Sequence, residues 1–403
     1  MYGPGFFKGI FVKQMKIALC YENVLPARGG CETYIADLAR RLVGDGHEVH
    51  LLACRWDAAS LPGEINYHRL AIQRGPRFLR PWRFARACAA VLRTRPDLVS
   101  IGFDKTWGQD VLYPQGGLHA ATAEHNLRKF RSRALRAFAR LGKCLDLAHW
   151  SYSALERRQY LSRPRPLIVV NSNMVVRHFE RHYDIPPEQL HVVRSAIDPE
   201  RFASPDRPRR RLEWRQAWDL KPEDTAALFV AMNYRLKGLE PLLRTVRLLP
   251  KERAFRLLVA GNSRTGSYEQ LARRLGIADR VLFLGPRRDM HNCYFAADFL
   301  VHPTFYDPCS LVVLEALACG LPVITSRYNG AAELLSPPSD GYVVYDPHDH
   351  QQLADCMAQF FDSGHRSACA RAARQTALAW TFEDHFQELM RVFRQAAARK
   401  QAA

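Results

Sequence analysis

Two rhythms of apolar residues run along this chain. Short continuous apolar runs recur, and between them apolar positions fall three or four residues apart. The first pattern reads as buried strand and the second as helix with one apolar face. "MKIALC" (15–20) is such a run. In "VLPARGGCETYIADLARRLVGDGHEVHLLAC", which follows, Tyr34, Ile35, Leu38, Ala39 and Leu42 share a helical face, "GDG" stops the helix, and "EVHLLAC" returns as a strand. Strand, helix and strand in this order imply a parallel sheet. "PDLVSIGF" (96–103), "DVLYPQG" (110–116), "PLIVVNS" (166–172) and "LHVVRSAID" (190–198) continue the series.

"PERFASPDRPRRRLEWR" (199–215) interrupts it with proline, arginine and no apolar period. It reads as a linker, and its arginines as a solvated connection. A second series begins at "TAALFVAMN" (225–233) and recurs at "FRLLVAGN", "RVLFLGP", "DFLVHPT", "LPVITS" and "GYVVYD". The expected fold is α/β, with two Rossmann-like, doubly wound domains in tandem. The boundaries fall at 1–14 (extension), 15–198, 199–222 (linker), 223–380 and 381–403 (an amphipathic helix and tail). Ligands of such sheets bind beyond the strand carboxyl ends, so a cleft between the domains is the expected active site.

Composition narrows the class. A length of 403 residues suits two domains, and 47% hydrophobic with 24% charged residues excludes disordered and fibrous chains. The net charge is +18, and the first 200 residues hold 30 basic against 18 acidic side chains. Such a field attracts nucleic acid, anionic lipid or phosphorylated substrates without choosing among them. The ten cysteines are scattered with no C-x-x-C pair, which argues against a zinc framework and fits a reducing cytoplasm. No apolar run is long enough to cross a bilayer. "MYGPGFFKGIFVKQ" lacks the features of a signal peptide and reads as an extension ahead of Met15, with a short membrane-touching tail as the alternative.

Candidate chemistry gathers in "DFLVHPTFYDPCSLVVLEALACG", a strand, loop and helix with Pro308 placed for the first helical turn. Leu311, Val312, Val313, Leu314 and Leu317 surround Glu315, and a carboxylate in such surroundings needs a polar partner or a ligand. A nearby arginine would satisfy it without any function. Asp307 precedes the helix, whose free N–H groups and dipole favour an anion.

"DPCSLVVLEALACGLPVITS" (307–326), with "NGAAELL" (329–335), resembles the E-x(7)-E signature of the retaining glycosyltransferases of family 4, which have the GT-B fold. The resemblance implies that Glu315 holds the ribose of a nucleotide-sugar and Asp307 the donor sugar. Backbone N–H groups at Cys309, Ser310 and Leu311 would serve sugar and phosphates. Asp307 stands where the signature has Glu, which shortens its reach. "AMNYRLKGLEPLL" (231–243) matches the family's K-G: Lys237 would neutralise the leaving diphosphate, with Arg235 as a second cation. An exposed pair at a helix start is the plain alternative, but cations there oppose the helix dipole, which favours a ligand. In "ARGGCETY" (27–34), Gly29 and Gly30 form a tight turn before a helix. It matches the family's G-G-x-E, so Gly30 joins the donor-binding set.

"IGFDKTWGQDVLYPQGGLHA" (101–120), "SALERRQYL", "VVNSNMVVRHFERHYDIPPEQLHVV" and "DPERF" resemble the glucosyltransferases of lipopolysaccharide core assembly. Those enzymes transfer glucose to inner-core heptose and commonly carry Asp where Gly116 stands. His119 fits a G-x-H form of this loop, in which the His contacts the donor sugar. The implied reaction is retaining hexosyl transfer from UDP-glucose to a lipid-linked acceptor, catalysed by His119, Lys237 and Asp307. With no D-x-D in the chain, no divalent metal and no other cofactor is expected.

"NLRKFRSRALRAFARLGK" (126–143) carries seven basic residues and no acid, with an apolar residue every three or four positions. It is predicted to be one basic amphipathic helix, with Arg128, Lys129, Arg133, Arg136 and Arg140 toward the acceptor and an anionic membrane surface. "RGPRFLRPWRFAR" (74–86) is similar in character. An enzyme peripheral on the inner face of the cytoplasmic membrane would fit. An ordinary packed helix is the alternative. Nucleic acid has no RNP motif, zinc finger or helix-turn-helix to support it. Two other functions stay open: a family 4 enzyme with another donor sugar or glycan acceptor, and a basic, non-catalytic GT-B protein that binds polyanions or membranes. A nicotinamide dehydrogenase lacks its G-x-G-x-x-G after the first strand.

Overall fold

A computed structural model describes residues 14–26, 29–73 and 75–402. All but the last residue of the expected extension lies outside them. The chain forms two compact units: residues to Tyr113 with 162–167 and 393–403, and 114–161 with 168–392.

The first unit contains β1 (Lys16–Cys20), β2 (Asn23–Val24), α1 (Gly30–Gly44), β3 (Glu48–Ala53), β4 (Arg55–Trp56), β5 (Asn66–Arg69), α2 (Arg80–Arg93), β6 (Val99–Phe103) and β7 (Val111–Tyr113). Its main strands are parallel in the order β5-β3-β1-β6-β7. Ile17 to Cys20 are wholly buried, as expected of a central parallel strand covered on both faces. The five α1 positions read as one face are all buried. Gly46 follows in the left-handed region at φ 82°, which turns the chain into β3.

The second unit opens with α3 (His119–Arg128), α4 (Arg133–Cys144), α5 (Leu147–Leu161), β8 (Leu167–Val170), α6 (Asn173–His182), β9 (Leu190–Val192) and α7 (Arg207–Ala217). A second sheet follows: β10 (Thr225–Ala231), α8 (Tyr234–Lys237), α9 (Leu239–Val246), β11 (Phe255–Gly261), α10 (Gly266–Leu275), β12 (Val281–Gly285), α11 (His291–Ala296), β13 (Phe299–His302), α12 (Leu311–Ala318), β14 (Val323–Ser326) and β15 (Gly341–Val344). The chain ends in α13 (His350–Gln359), α14 (Ser363–Leu378) and α15 (Phe382–Gln401). The sheet order is β12-β11-β10-β13-β14-β15, all parallel. The chain moves outward from β10 to one side, then returns to start β13 on the other. The β10/β13 boundary is therefore the topological switch point, and the loops leaving those two strands flank the natural ligand position.

Two expectations are corrected here. The stretch read as a solvated linker contains α7, and two of its arginines, Arg211 and Arg215, point inward, while Arg209 stays exposed. Arg211 donates to Ala297 O at 2.7 Å and to Asp298 Oδ1 at 2.6 Å, and the buried Arg215 donates to Ala296 O at 3.0 Å. These cations cover the carbonyl end of α11, where positive charge is favoured. An apolar period is missing because guanidinium groups, with Trp214 beside them, make the contact. The basic stretch 126–143 is also not one helix. α3 ends at Arg128, Ser132 caps a new helix by accepting from the Leu135 N–H, and α4 begins.

Candidate active site

The switch point brings Lys237 and Asp307 together. Lys237 ends α8, one turn beyond β10, and Asp307 lies in the loop after β13. The Lys237 ammonium lies 2.6 Å from Asp307 Oδ2 and donates to Tyr306 O at 3.0 Å. An ammonium has three donors, so one remains. Burial alone would raise the Asp307 pKa, but Lys237 and the neighbouring His302 outweigh it and hold the carboxyl well below the usual range. The wholly buried His302 imidazole is pushed down, mainly by burial.

Asp307 is not in the first turn of α12. The helix begins at Leu311 with Ser310 as its N-cap, so Pro308 also lies outside it. The loop is held by other means. Asp307 N–H donates to Tyr328 O at 2.9 Å, and Gly330 N–H donates to Asp307 O at 2.8 Å. Asn329 Oδ1 accepts from Ser310 N–H at 3.2 Å and Ala331 N–H at 3.1 Å, while its amide donates to Thr325 Oγ1 at 3.0 Å. A Cβ at Gly330 would fall 1.8 Å from Pro308 O, so only glycine fits there. Of the three amides assigned to sugar and phosphates, Ser310 N–H is therefore already engaged. The Leu311 amide has no acceptor among the described residues. The buried Cys309 thiol is pushed up to about 12 by burial.

Glu315 is half-buried on α12. Burial pushes its carboxyl up, opposed by a hydrogen bond donated from the Tyr294 hydroxyl to Oε2. His291 and Arg201 also lower it from a distance. Its other oxygen accepts no hydrogen bond among the described residues and is available to a ligand hydroxyl.

α3 lies along this loop. A Cβ at Gly117 would fall 2.1 Å from Tyr306 Oη and 2.8 Å from Pro308 Cγ, and its φ of 72° also favours glycine. His119 opens α3. Its backbone N–H and that of Ala120 donate to Glu156, which also accepts from Tyr183 Oη at 2.7 Å. Glu156 is thus an anion at a helix N-terminus. The His119 imidazole meets His149 Nδ1 at 3.0 Å and lies edge-on to Tyr152. Two turns on, the buried His125 donates from Nδ1 to Phe305 O at 3.0 Å, and burial lowers its pKa to about 4. That fixes the segment carrying Asp307.

Other candidates fall elsewhere. Arg235 is two residues from Lys237, about 200° around a helix. Its guanidinium lies 4.5 Å over the Phe130 ring and not beside the Lys237–Asp307 pair. Gly30 opens α1 in the first unit, behind an extended Gly29. Arg128 turns inward, donating to Tyr328 Oη at 3.2 Å, and Lys129 is half-buried against Asn126. Arg133, Arg136 and Arg140 remain exposed on α4. No residue of α4 is buried, and Leu135, Phe138, Leu141 and Leu145 are bare, Phe138 being 76% exposed. Among the described residues no helix is long and apolar enough to cross a membrane. Sequence reasoning missed Tyr294, Asn329, Glu156 and His125. The "NGAAELL" stretch was the one pointer to Asn329.

Residues 28–201 match the family described as Glycosyltransferase Family 4, and residues 210–376 match glycosyl transferases group 1. The chain belongs to these GT-B glycosyltransferases. Among its relatives is the lipopolysaccharide glucosyltransferase WaaG of Escherichia coli, 25% identical over 366 residues, covering 90% of this chain and 94% of the relative. The D-inositol 3-phosphate glycosyltransferase 2 of Catenulispora acidiphila is 29% identical over 370 residues, covering 84% and 83%. The crystal structure of WaaG matches with a TM-score of 0.77 at 23% identity, covering 93% of this chain and 98% of that one. Anabaena HepE in complex with UDP-glucose matches with a TM-score of 0.62 at 19% identity, covering 97% and 100%.

Proposed function

We propose that this glycosyltransferase moves glucose from UDP-glucose, with retention and without a divalent metal, onto a lipid-linked acceptor of the lipopolysaccharide-core heptose type. The observation that carries the reading is the Lys237–Asp307 pair at the β10/β13 switch point. A donor laid there has its ribose hydroxyls toward Glu315 and its diphosphate toward the third Lys237 donor and the Leu311 amide. As the anomeric C–O bond breaks, negative charge grows on the diphosphate, and these donors stabilise it. The acceptor hydroxyl forms the new bond on the face the phosphate leaves, and its proton passes to that phosphate. Asp307 holds Lys237 in place and reaches the sugar hydroxyls. His119, at the start of the adjoining α3, contacts the sugar. The relative named a lipopolysaccharide glucosyltransferase supports the acceptor class, and the fold-mate holding UDP-glucose supports the donor.

The bare, basic α4 supports a peripheral site on an anionic membrane, at the cytoplasmic face where nucleotide-sugars are made. The test supplies UDP-glucose, EDTA and a heptose-terminated lipid-linked core oligosaccharide, and reads the product linkage by NMR. An α-linked glucose is expected. A β-linked product, or transfer only after metal is added, overturns the proposal.

A further inference from the structure

α3 and α4 are separated by a short break, and there the second unit carries a cavity of about 500 Å³. It is lined by basic side chains from four segments: Lys129 and Arg131 from the break, Arg235 from α8, Arg244 from α9, and the imidazoles of His348 and His350 at the start of α13. The lining carboxylate is Glu240, and Arg244 already holds it at 3.0 Å. The walls are apolar: Phe130, Phe305, Pro241 and Leu135.

This arrangement is electrostatically unfavourable as it stands. Like charges confined between low-dielectric walls repel more strongly than in water. Burial first, and then Arg235, depress the basicity of Lys129. Burial and then His348, Arg131 and Arg244 do the same to His350, whose buried Nδ1 has no hydrogen-bond partner. The basic side chains are held in place by packing: Arg235 stacks at 4.5 Å on Phe130, and the His348 ring lies 4.9 Å from that of Phe305. An anion in the cavity would relieve the repulsion and accept charge-assisted hydrogen bonds from fixed donors. Clefts of one sign with apolar walls also concentrate anions.

We propose that this cavity is a phosphate-binding site separate from the donor site. Its ligand is a phosphate group carried by a phospholipid headgroup or presented free in solution. The inference rests on the membrane reading only for the first source, since α4 leads from the cavity rim at Leu135 to its bare apolar face.

The test is calorimetry with inorganic phosphate and, separately, UDP. The Arg131→Gln/Arg244→Gln variant should lose phosphate affinity more than tenfold and keep UDP affinity, which also shows that it folds. Glu315→Ala should do the reverse. Vesicles with phosphatidic acid that weaken phosphate binding identify the headgroup as the source; vesicles without effect identify free phosphate. No phosphate binding at 20 mM, or unchanged binding in the double variant, overturns the proposal. Equal loss of UDP and phosphate in the double variant also overturns it, by making the cavity part of the donor site. A wild type that binds phosphate but no nucleotide would sink the donor reading and leave this one standing.

Discussion

α12 and α4 both read in the sequence as helices rich in apolar residues, yet they meet opposite environments. Five of the eight α12 residues are buried, and its single carboxylate is held by Tyr294. α4 buries none of its residues and leaves Phe138, Leu141 and Leu145 open beside its arginines. The difference shows what each kind of anomaly means. A polar group inside an apolar helix marks a site facing a small ligand, because burial is costly without a partner. Apolar groups outside mark a surface waiting for a larger partner, because such patches are rarely left bare.

The comparison breaks most sharply at Lys237. Lys237→Ala should lower the transfer rate by roughly 10²–10³-fold, the range for removing one donor to developing charge. It also strands a half-buried carboxylate. Lys237→Ala/Asp307→Asn should therefore recover thermal stability but not rate, and initial rates beside melting curves separate the two effects. A rate recovered along with stability would reduce Lys237 to a structural cation.

On the other side, Phe138→Ser/Leu141→Ser should weaken vesicle binding by about 2–4 kcal/mol, from the apolar area no longer inserted. UDP affinity should not change. Co-sedimentation with anionic vesicles checks this, and equal binding by the variant would leave α4 without a membrane role. Asn329→Ala should cost about 1–3 kcal/mol through the buried groups it leaves unpaired. Its KM for donor should rise more than α4 variants ever achieve.

The smallest effect is a pH dependence. Burial lowers His125, His178 and His385 to about 4 each. An unfolded histidine protonates near 6.5, so the unfolded chain takes up protons the folded one does not. Stability should fall as pH drops from about 6.5 to about 4 and be flat above that window. His125→Gln should shallow the slope in melts across this range. An unchanged slope would mean that His125 does not hold the Phe305 carbonyl as a neutral ring.

Much of the fold was legible because its strands are central and parallel. Runs such as "KIALC" and "TAALFVA" are apolar on both faces and cannot be read otherwise. β5, "NYHR", escaped because an edge strand facing solvent carries no such run. α7 escaped because arginines make most of its inward polar contacts and Trp214 alone of its apolar side chains packs on the core, which leaves no apolar period. At the site, Glu315 and Lys237 were visible as misplaced charges in local patterns. Asp307 was visible too, but its pairing with Lys237 was not, and Tyr294 was missed. Tyr294 lies 21 residues from Glu315, and Asp307 lies 70 from Lys237, so only the folded sheet joins them. Asp307 does precede the helix, as read, but the placing of Pro308 in its first turn failed for a local reason. Asn329 and Gly330 clamp the segment in an extended loop up to Ser310, and the helix starts only at Leu311.

The central claim is that α12 and the switch point form a nucleotide-sugar site. Calorimetric titration of the metal-free protein with UDP, GDP, ADP and UDP-glucose tests it most directly, with Glu315→Ala alongside. The expected result is selective UDP and UDP-glucose binding that Glu315→Ala weakens by about 1.5–3 kcal/mol, the loss of a hydrogen bond to a charged group. Equal affinity in the variant, or no nucleotide bound by the wild type, would contradict the claim and leave Glu315 as the structural partner of Tyr294.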